Sequence, residues 1–249
     1  MSDRPEMFEG TDRIWMDGEF VDFEDAQTHV LTHALHYGTG VFEGVRCYDT
    51  EQGPAVFRWE EHLDRLYKSA KPYDLDIEFS KDELTEATTE LIETEGFESC
   101  YIRPIVYYGF DSLGVSPKDC PTKTTIAAWP WGAYLGEEAL EEGVDVMVSS
   151  WRKHASSQIP TNIKTTGLYV NSMLAGEEAR RNGYTEAIVL NKEATSPKGR
   201  ARTSSWSGTE KSTRPDWPRA SSKASPATPQ SRSPRRWLHR PRGSDHLPR

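Results

Sequence analysis

The chain is poor in cysteine. Only Cys47, Cys100 and Cys120 occur in 249 residues, and none belongs to a CxxC pair or a cysteine–histidine cluster. That spacing gives no sign of a disulfide framework or a cysteine-based zinc site, and it suits a reduced compartment. No apolar run is long enough to span a bilayer. The N-terminal "MSDRPEMFEG" lacks the basic-then-apolar order of a signal peptide. A cytoplasmic protein with no membrane partner is the expectation. The largest absence is positional. After Glu193, valine, isoleucine, phenylalanine, tyrosine and methionine do not recur, whereas eight of the 16 prolines lie there. Such a segment cannot bury enough apolar surface to offset chain entropy, so residues 194–249 are expected to be disordered.

Charge divides at the same point. Residues 194–249 hold 13 Lys+Arg and 3 Asp+Glu, which leaves 17 and 36 of the chain's 30 and 39 for residues 1–193. The first part therefore carries −19 and the tail +10. An acidic excess of that size argues against nucleic acid as a partner of the first part. It fits an ordinary acidic cytoplasmic protein, or one adapted to high salt, where screening weakens self-repulsion.

What is present reads as mixed strands and helices, an α/β or α+β chain. "RIWMDGEFVDF" suggests two short strands about Asp17-Gly18, a strong hairpin dipeptide. "PAVFRWEEHLDRLYKSA" passes from strand to helix with Leu63, Leu66, Tyr67 and Ala70 on one face and Arg65 off it. "FSKDELTEATTELIETEG" opens with Ser80 and Glu83 in capping-box spacing and stops at Gly96. "CYIRPIVYYG", "TKTTIAAWPW" and "VDVMVSSW" are strand candidates. "GLYVNSMLAGEEARRNGY" reads as a helix ended by Asn182-Gly183, feeding the strand "EAIVLN".

Two stretches could carry chemistry. In "HALHYGTGVFEGVRCY", His33 and His36 are three apart, but no third ligand is evident, so no metal site is expected. The glycines Gly38, Gly40 and Gly44 favour a tight turn presenting Tyr37 and Phe42 to a cavity. In "IPTNIKTTGLYVNS", Lys164 lies among small polar residues just before a helix, with Tyr169 five residues on. A lone lysine is ordinarily a solvated surface charge. An interior lysine of depressed proton affinity is instead suited to condense with an aldehyde cofactor. Singly, these signals are not specific.

Together, "HALHYGTGVFEGVRCY", "EEHLDRLYKSA", "YIRP", "AAWPWGAYLG" and "IPTNIKTTGLYVNSMLAGEEARRNGYTEAIVL" closely resemble the branched-chain amino-acid aminotransferases, from about Arg13 to Glu193. These are two-domain, fold-type IV enzymes that use pyridoxal 5′-phosphate. The resemblance implies Lys164 as the Schiff-base lysine and proton shuttle, Arg65 on the cofactor phosphate and Tyr169 on its phenolic oxygen. Phe42, Tyr101, Trp131 and Tyr134 would line the substrate pocket, and Arg103 would receive the distal carboxylate of glutamate. Tyr37 would enter a neighbouring subunit's site, making the family at least dimeric. The implied substrates are leucine, isoleucine and valine, glutamate and the corresponding 2-oxo acids, in ping-pong half-reactions. The implied division is a small α/β domain over 1–127, an interdomain loop over 128–141, and the start of the large cofactor domain over 142–193. Other fold-type IV enzymes, such as D-amino-acid aminotransferases and aminodeoxychorismate lyases, share the lysine. A non-catalytic partner that dimerises through the N-terminal domain is the reading from a different class.

Beyond Glu193 the chain departs from the family pattern "GYxSEGxGENLF", whose glutamate pairs the pyridine nitrogen. That carboxylate belongs at position 198, where this chain has Lys198. In a synonymous back-translation, one G added after the Glu193 codon turns "ATSPKGRARTSSWSGTEKSTRPDW" into "GYVSEGPGENLFLVRDGEIYTPGL". The same frame turns "ASSKASPATP" into "ILEGITRD", which resembles the family's phosphate-binding turn. Residues 194–249 are thus expected to be a frameshifted tail ended by an out-of-frame stop, with an incomplete large domain and little activity in the chain as written. The competing reading, a basic nucleic-acid-binding extension, does not explain why the tail replaces core family sequence.

Overall fold

A computed structural model describes residues 4–131, 142–191 and 237–239. The first hairpin, β1 (Arg13–Met16) and β2 (Glu19–Asp22), turns on Asp17 and Gly18, both at positive φ. Two long strands, β6 (Cys100–Tyr108) and β7 (Thr122–Trp129), pair antiparallel along eight residues and form the centre of the sheet. β1 adds to β7, while β3 (Gly40–Phe42) and β4 (Val45–Tyr48) both pair with β6, and β5 (Ala55–Phe57) follows β4. Trp237–His239 (β10) pairs antiparallel with β5 and completes an eight-stranded sheet. Trp237–His239 are the described residues of the 194–249 segment; the rest of it lies outside the described residues. An unpaired β5 edge offers backbone donors and acceptors that any extended segment can take.

Alternation along β6 decides what the sheet does. Cys100, Ile102, Val106 and Tyr108 are buried in the core, whereas Tyr101 and Arg103 on the opposite face are only half-buried. Helix α2 (Trp59–Ala70) contributes Leu63, Leu66 and Ala70 to that core, and α3 (Lys81–Thr94) contributes Leu84, Leu91 and Ile92. The Ser80–Glu83 capping box forms in full at the start of α3, and Trp59 Nε1 donates to Thr85 Oγ1 at 2.8 Å across the two helices. Leu66 has no accessible surface, so Leu66→Ala should destabilise the chain by ~2–5 kcal/mol through lost transfer energy plus a cavity. Urea denaturation measures this as a lower midpoint at unchanged slope.

The stretch expected to be a tight turn is more regular than its glycines suggest. His33–Tyr37 forms a one-turn helix, α1, ended by Gly38 in the left-handed region, and the glycine-rich remainder is β3 and β4. Val41, Val45 and Cys47 are buried there. Pairing with β6 and burial outweigh the low strand propensity of glycine, and neither is local.

Further along the chain, β8 (Val146–Arg152) and β9 (Glu186–Leu190) form a two-stranded parallel sheet linked through α4 (Tyr169–Arg181), which packs on both. Val146, Val148 and Trp151 on β8, and Val170 and Met173 on α4, are exposed. Parallel strands normally lie under cover on both faces, and exposed apolar surface of this kind favours association.

Candidate active site

The segment before α4 is stitched to the large sheet. Phe42 N–H donates to Lys164 O at 3.1 Å, Val41 bridges Thr165, and Thr166 N–H donates to Gly40 O at 2.9 Å. Thr166 Oγ1 also donates to Gly38 O, and Lys164 N–H donates to Ser69 Oγ on α2 at 3.0 Å. Gly38 and Gly167 meet so closely that a Cβ on Gly38 would lie 2.8 Å from Gly167 Cα. These contacts carry the Lys164 side chain from one strand system to the half-buried face of the other.

Around Lys164 the sheet gathers charge and rings. Its Nζ lies 5.0 Å from the Phe42 ring centroid and 4.0 Å from Glu43 Oε2. Burial lowers the proton affinity of Lys164; Glu43 opposes that fall, while Arg65 and Arg103 add to it. Arg65 grips Glu43 with Nε at 2.6 Å and Nη2 at 2.7 Å, and His62 Nδ1 donates to the same carboxylate at 2.8 Å. Burial pushes the Glu43 carboxyl up, but the Arg65 and His62 hydrogen bonds and the Lys164 and Arg65 charges overcome it and hold the group at about 2. The Glu43 hydrogen bond raises Arg65 further.

Phe42 is the centre of the cluster. Arg103 lies over it at 4.8 Å on one side, and the Tyr169 ring packs at 4.8 Å. Arg103 Nη2 donates to Tyr101 Oη at 3.0 Å, and its buried Nε has no hydrogen-bond partner among the described residues. Tyr101 packs edge-on to Trp131 at 4.5 Å and against Trp129 at 5.1 Å. Burial raises the Tyr169 hydroxyl above its ordinary range. Of the residues singled out from sequence, Lys164, Arg65, Tyr169, Phe42, Tyr101, Arg103 and Trp131 thus form one connected cluster. Tyr37 stands apart, its ring on His33 and its hydroxyl donating to Leu113 O at 2.8 Å. Tyr134 lies outside the described residues, as does Lys198. His33 is fully buried with one ring nitrogen on Thr39 Oγ1 and the other on Gly114 O. Glu43, His62, Ser69 and Trp129 were missed. The Glu43 signal was legible in "GVFEGV", a lone charge in an apolar, glycine-rich run.

A family profile for class IV amino-transferases matches residues 40–204. The chain belongs to that family. This class IV chain is 53% identical over 180 residues to the branched-chain-amino-acid aminotransferase of Escherichia coli K12, covering 72% of this chain and 58% of the relative. It is 50% identical to the Pseudomonas aeruginosa PAO1 enzyme of the same name, covering 72% of this chain and 59% of that one. Among solved structures, the E. coli branched-chain amino acid aminotransferase superposes with TM-score 0.72 at 52% identity, covering 74% and 60% of the two chains. The T.th. branched-chain amino acid aminotransferase with pyridoxamine 5′-phosphate gives 0.70 at 48% identity over the same shares. The class IV chain therefore spans about three-fifths of the length of these relatives and shares their mixed α/β, fold-type IV architecture over that part. Among the described residues no helix is long and apolar enough to cross a membrane.

Proposed function

We propose that the cluster is a pyridoxal 5′-phosphate site for transamination between a branched-chain amino acid and 2-oxoglutarate. The observation that carries this reading is Lys164, a buried amine over the Phe42 ring whose proton affinity is lowered by burial and by the charges of Arg65 and Arg103. The residues present fit the cofactor: a lysine for its aldehyde, the accessible edge of Arg65 for its phosphate, and the nearby Tyr169 hydroxyl for its phenolic oxygen. When bound, the cofactor supplies an aldehyde and a conjugated ring that accepts the electron pair released at the substrate Cα.

Each side chain then has a task. Lys164 holds the cofactor and moves the Cα proton, a task helped by its lowered proton affinity. Arg65 is always charged and offers planar N–H donors to a phosphate. Phe42, Tyr101 and Trp131 form an apolar wall for a branched side chain, and Arg103, whose buried Nε lacks a partner among the described residues, receives the second carboxylate of glutamate. Tyr134 is assigned to the same wall from the resemblance alone. The intact site also calls for a second copy: Tyr37, Val30, Leu35 and Val115 are each exposed, and the dimer contact is proposed to involve them. A cytoplasmic setting suits the three free cysteines.

Lys198 stands where the resemblance calls for a carboxylate, so turnover by the chain as written should be slow. Incubation with pyridoxal phosphate and borohydride, followed by peptide mass spectrometry, should find the cofactor mass on the peptide holding Lys164. Absence of that label would sink the cofactor assignment. In the same preparation leucine, isoleucine and valine should convert weakly but ahead of D-alanine. A preference for D-alanine would move the chain to another fold-type IV activity, and robust leucine turnover would overturn the slow-turnover claim.

A further inference from the structure

The pyridoxal-phosphate reading gives roles to Arg65 and Lys164 but leaves Glu43 unexplained. Glu43 is 1% exposed, at the link between β3 and β4, where its main-chain N–H donates to Pro104 O at 2.9 Å. A charge so buried persists only when it is paired and hydrogen-bonded. It has both, through the Arg65 fork, His62 Nδ1 and Lys164 Nζ at 4.0 Å. The grip fixes the plane of the guanidinium. It consumes the Nε and Nη2 edge and leaves the Nη1 N–H pair without a hydrogen bond among the described residues, on a side chain that is 47% exposed. It also places one negative charge among cations that otherwise repel one another, since Arg65 and Arg103 both act against a protonated Lys164.

We propose that Glu43 is the positioning residue of this site, clamping Arg65 so that its Nη1 edge meets a phosphate dianion and holding the Lys164 amine beside it as counter-ion. The inference rests on the pyridoxal-phosphate reading, but its test uses no pyridoxal phosphate. Glu43→Gln keeps the size of the side chain and removes the charge. The phosphate affinity separates positioning from plain electrostatics. By charge alone, losing a carboxylate near a phosphate would tighten anion binding. Loss of the clamp weakens it instead.

The chain as written and the variant are labelled with formaldehyde and cyanoborohydride across a pH series, with and without inorganic phosphate. Modification of Lys164 is followed by peptide mass spectrometry. Phosphate should protect Lys164 in the parent chain, and Glu43→Gln should need roughly tenfold more phosphate for the same protection. Without phosphate, the labelling midpoint of Lys164 should shift to lower pH in the variant, because the charge that favoured its protonated form is gone. Unprotected Lys164 in the parent, an unmoved midpoint, or equal or tighter phosphate protection in the variant each overturns the assignment. Should circular dichroism show that Glu43→Gln does not fold, Arg65→Lys carries the test. It keeps the charge but cannot take the bidentate grip, so phosphate protection should weaken similarly, and unchanged protection overturns the proposal. Phosphate protection in a parent chain that fails to capture pyridoxal phosphate refutes the cofactor reading while leaving Glu43 assigned.

Discussion

Lys164→Ala should abolish covalent capture of pyridoxal phosphate and lower any residual transamination by at least about 10²-fold, the scale of a lost proton-transfer group. Two features make the effect specific. Lys164 is 17% exposed at its side chain and pays for burial with a lowered proton affinity, which raises the share of nucleophilic amine. It is also the lysine that the backbone bonds of residues 164–166 bring beside Arg65, where a phosphate anchor would raise the local concentration of the aldehyde. Surface lysines such as Lys81, half-exposed and paired with Asp64, have no such anchor. The check is the borohydride-fixed label in parent and variant under equal cofactor excess. Equal labelling of Lys164→Ala at another lysine would show that the cluster does not select the cofactor.

The second large effect is on stability, at a residue with no reactive atom. Gly38→Ala should destabilise the chain by on the order of 3 kcal/mol, the sum of a backbone cost and a packing cost. Gly38 sits at φ +64°, where a Cβ costs about 1–2 kcal/mol. The added carbon would also lie 2.8 Å from Gly167 Cα and 3.3 Å from Gly167 N. Both are backbone atoms that no rotamer change can move aside, and overpacking of this kind adds about 1–3 kcal/mol. The clash falls on the junction that holds Lys164, because Thr166 Oγ1 donates to Gly38 O at 2.9 Å and Thr166 N–H to Gly40 O. The variant should therefore lose cofactor capture before it unfolds. Gly176→Ala is the control of opposite sign. Gly176 lies inside α4 with nothing within 4 Å of its added carbon, so the change should stabilise by up to about 1 kcal/mol through helix propensity. Denaturant midpoints of the two variants should move apart, and equal midpoints would show that the Gly38–Gly167 contact does not matter.

Local pattern alone determined most elements. The Asp17-Gly18 turn, the Ser80–Glu83 capping box, the Leu63–Leu66–Ala70 stripe and the Asn182-Gly183 stop each depend on neighbours within one or two turns of chain, so they were legible before any folding. The same holds for the change of character at Glu193, which composition exposes directly. The residue types of the site were legible too, but chiefly through a resemblance that spans many segments at once, since a lone lysine or arginine says little. Tertiary structure decided the rest. It turned a glycine-rich stretch into two strands because β6 was there to pair with them. It buried His33 and occupied both of its ring nitrogens, one of them from Gly114, 81 residues away. It brought Glu43, Arg65 and Lys164 together from distant parts of the sequence, and only that convergence shows why a buried carboxylate stands in "GVFEGV". Charge pairing at that range depends on which strands lie side by side, and spacing along the chain carries no record of it.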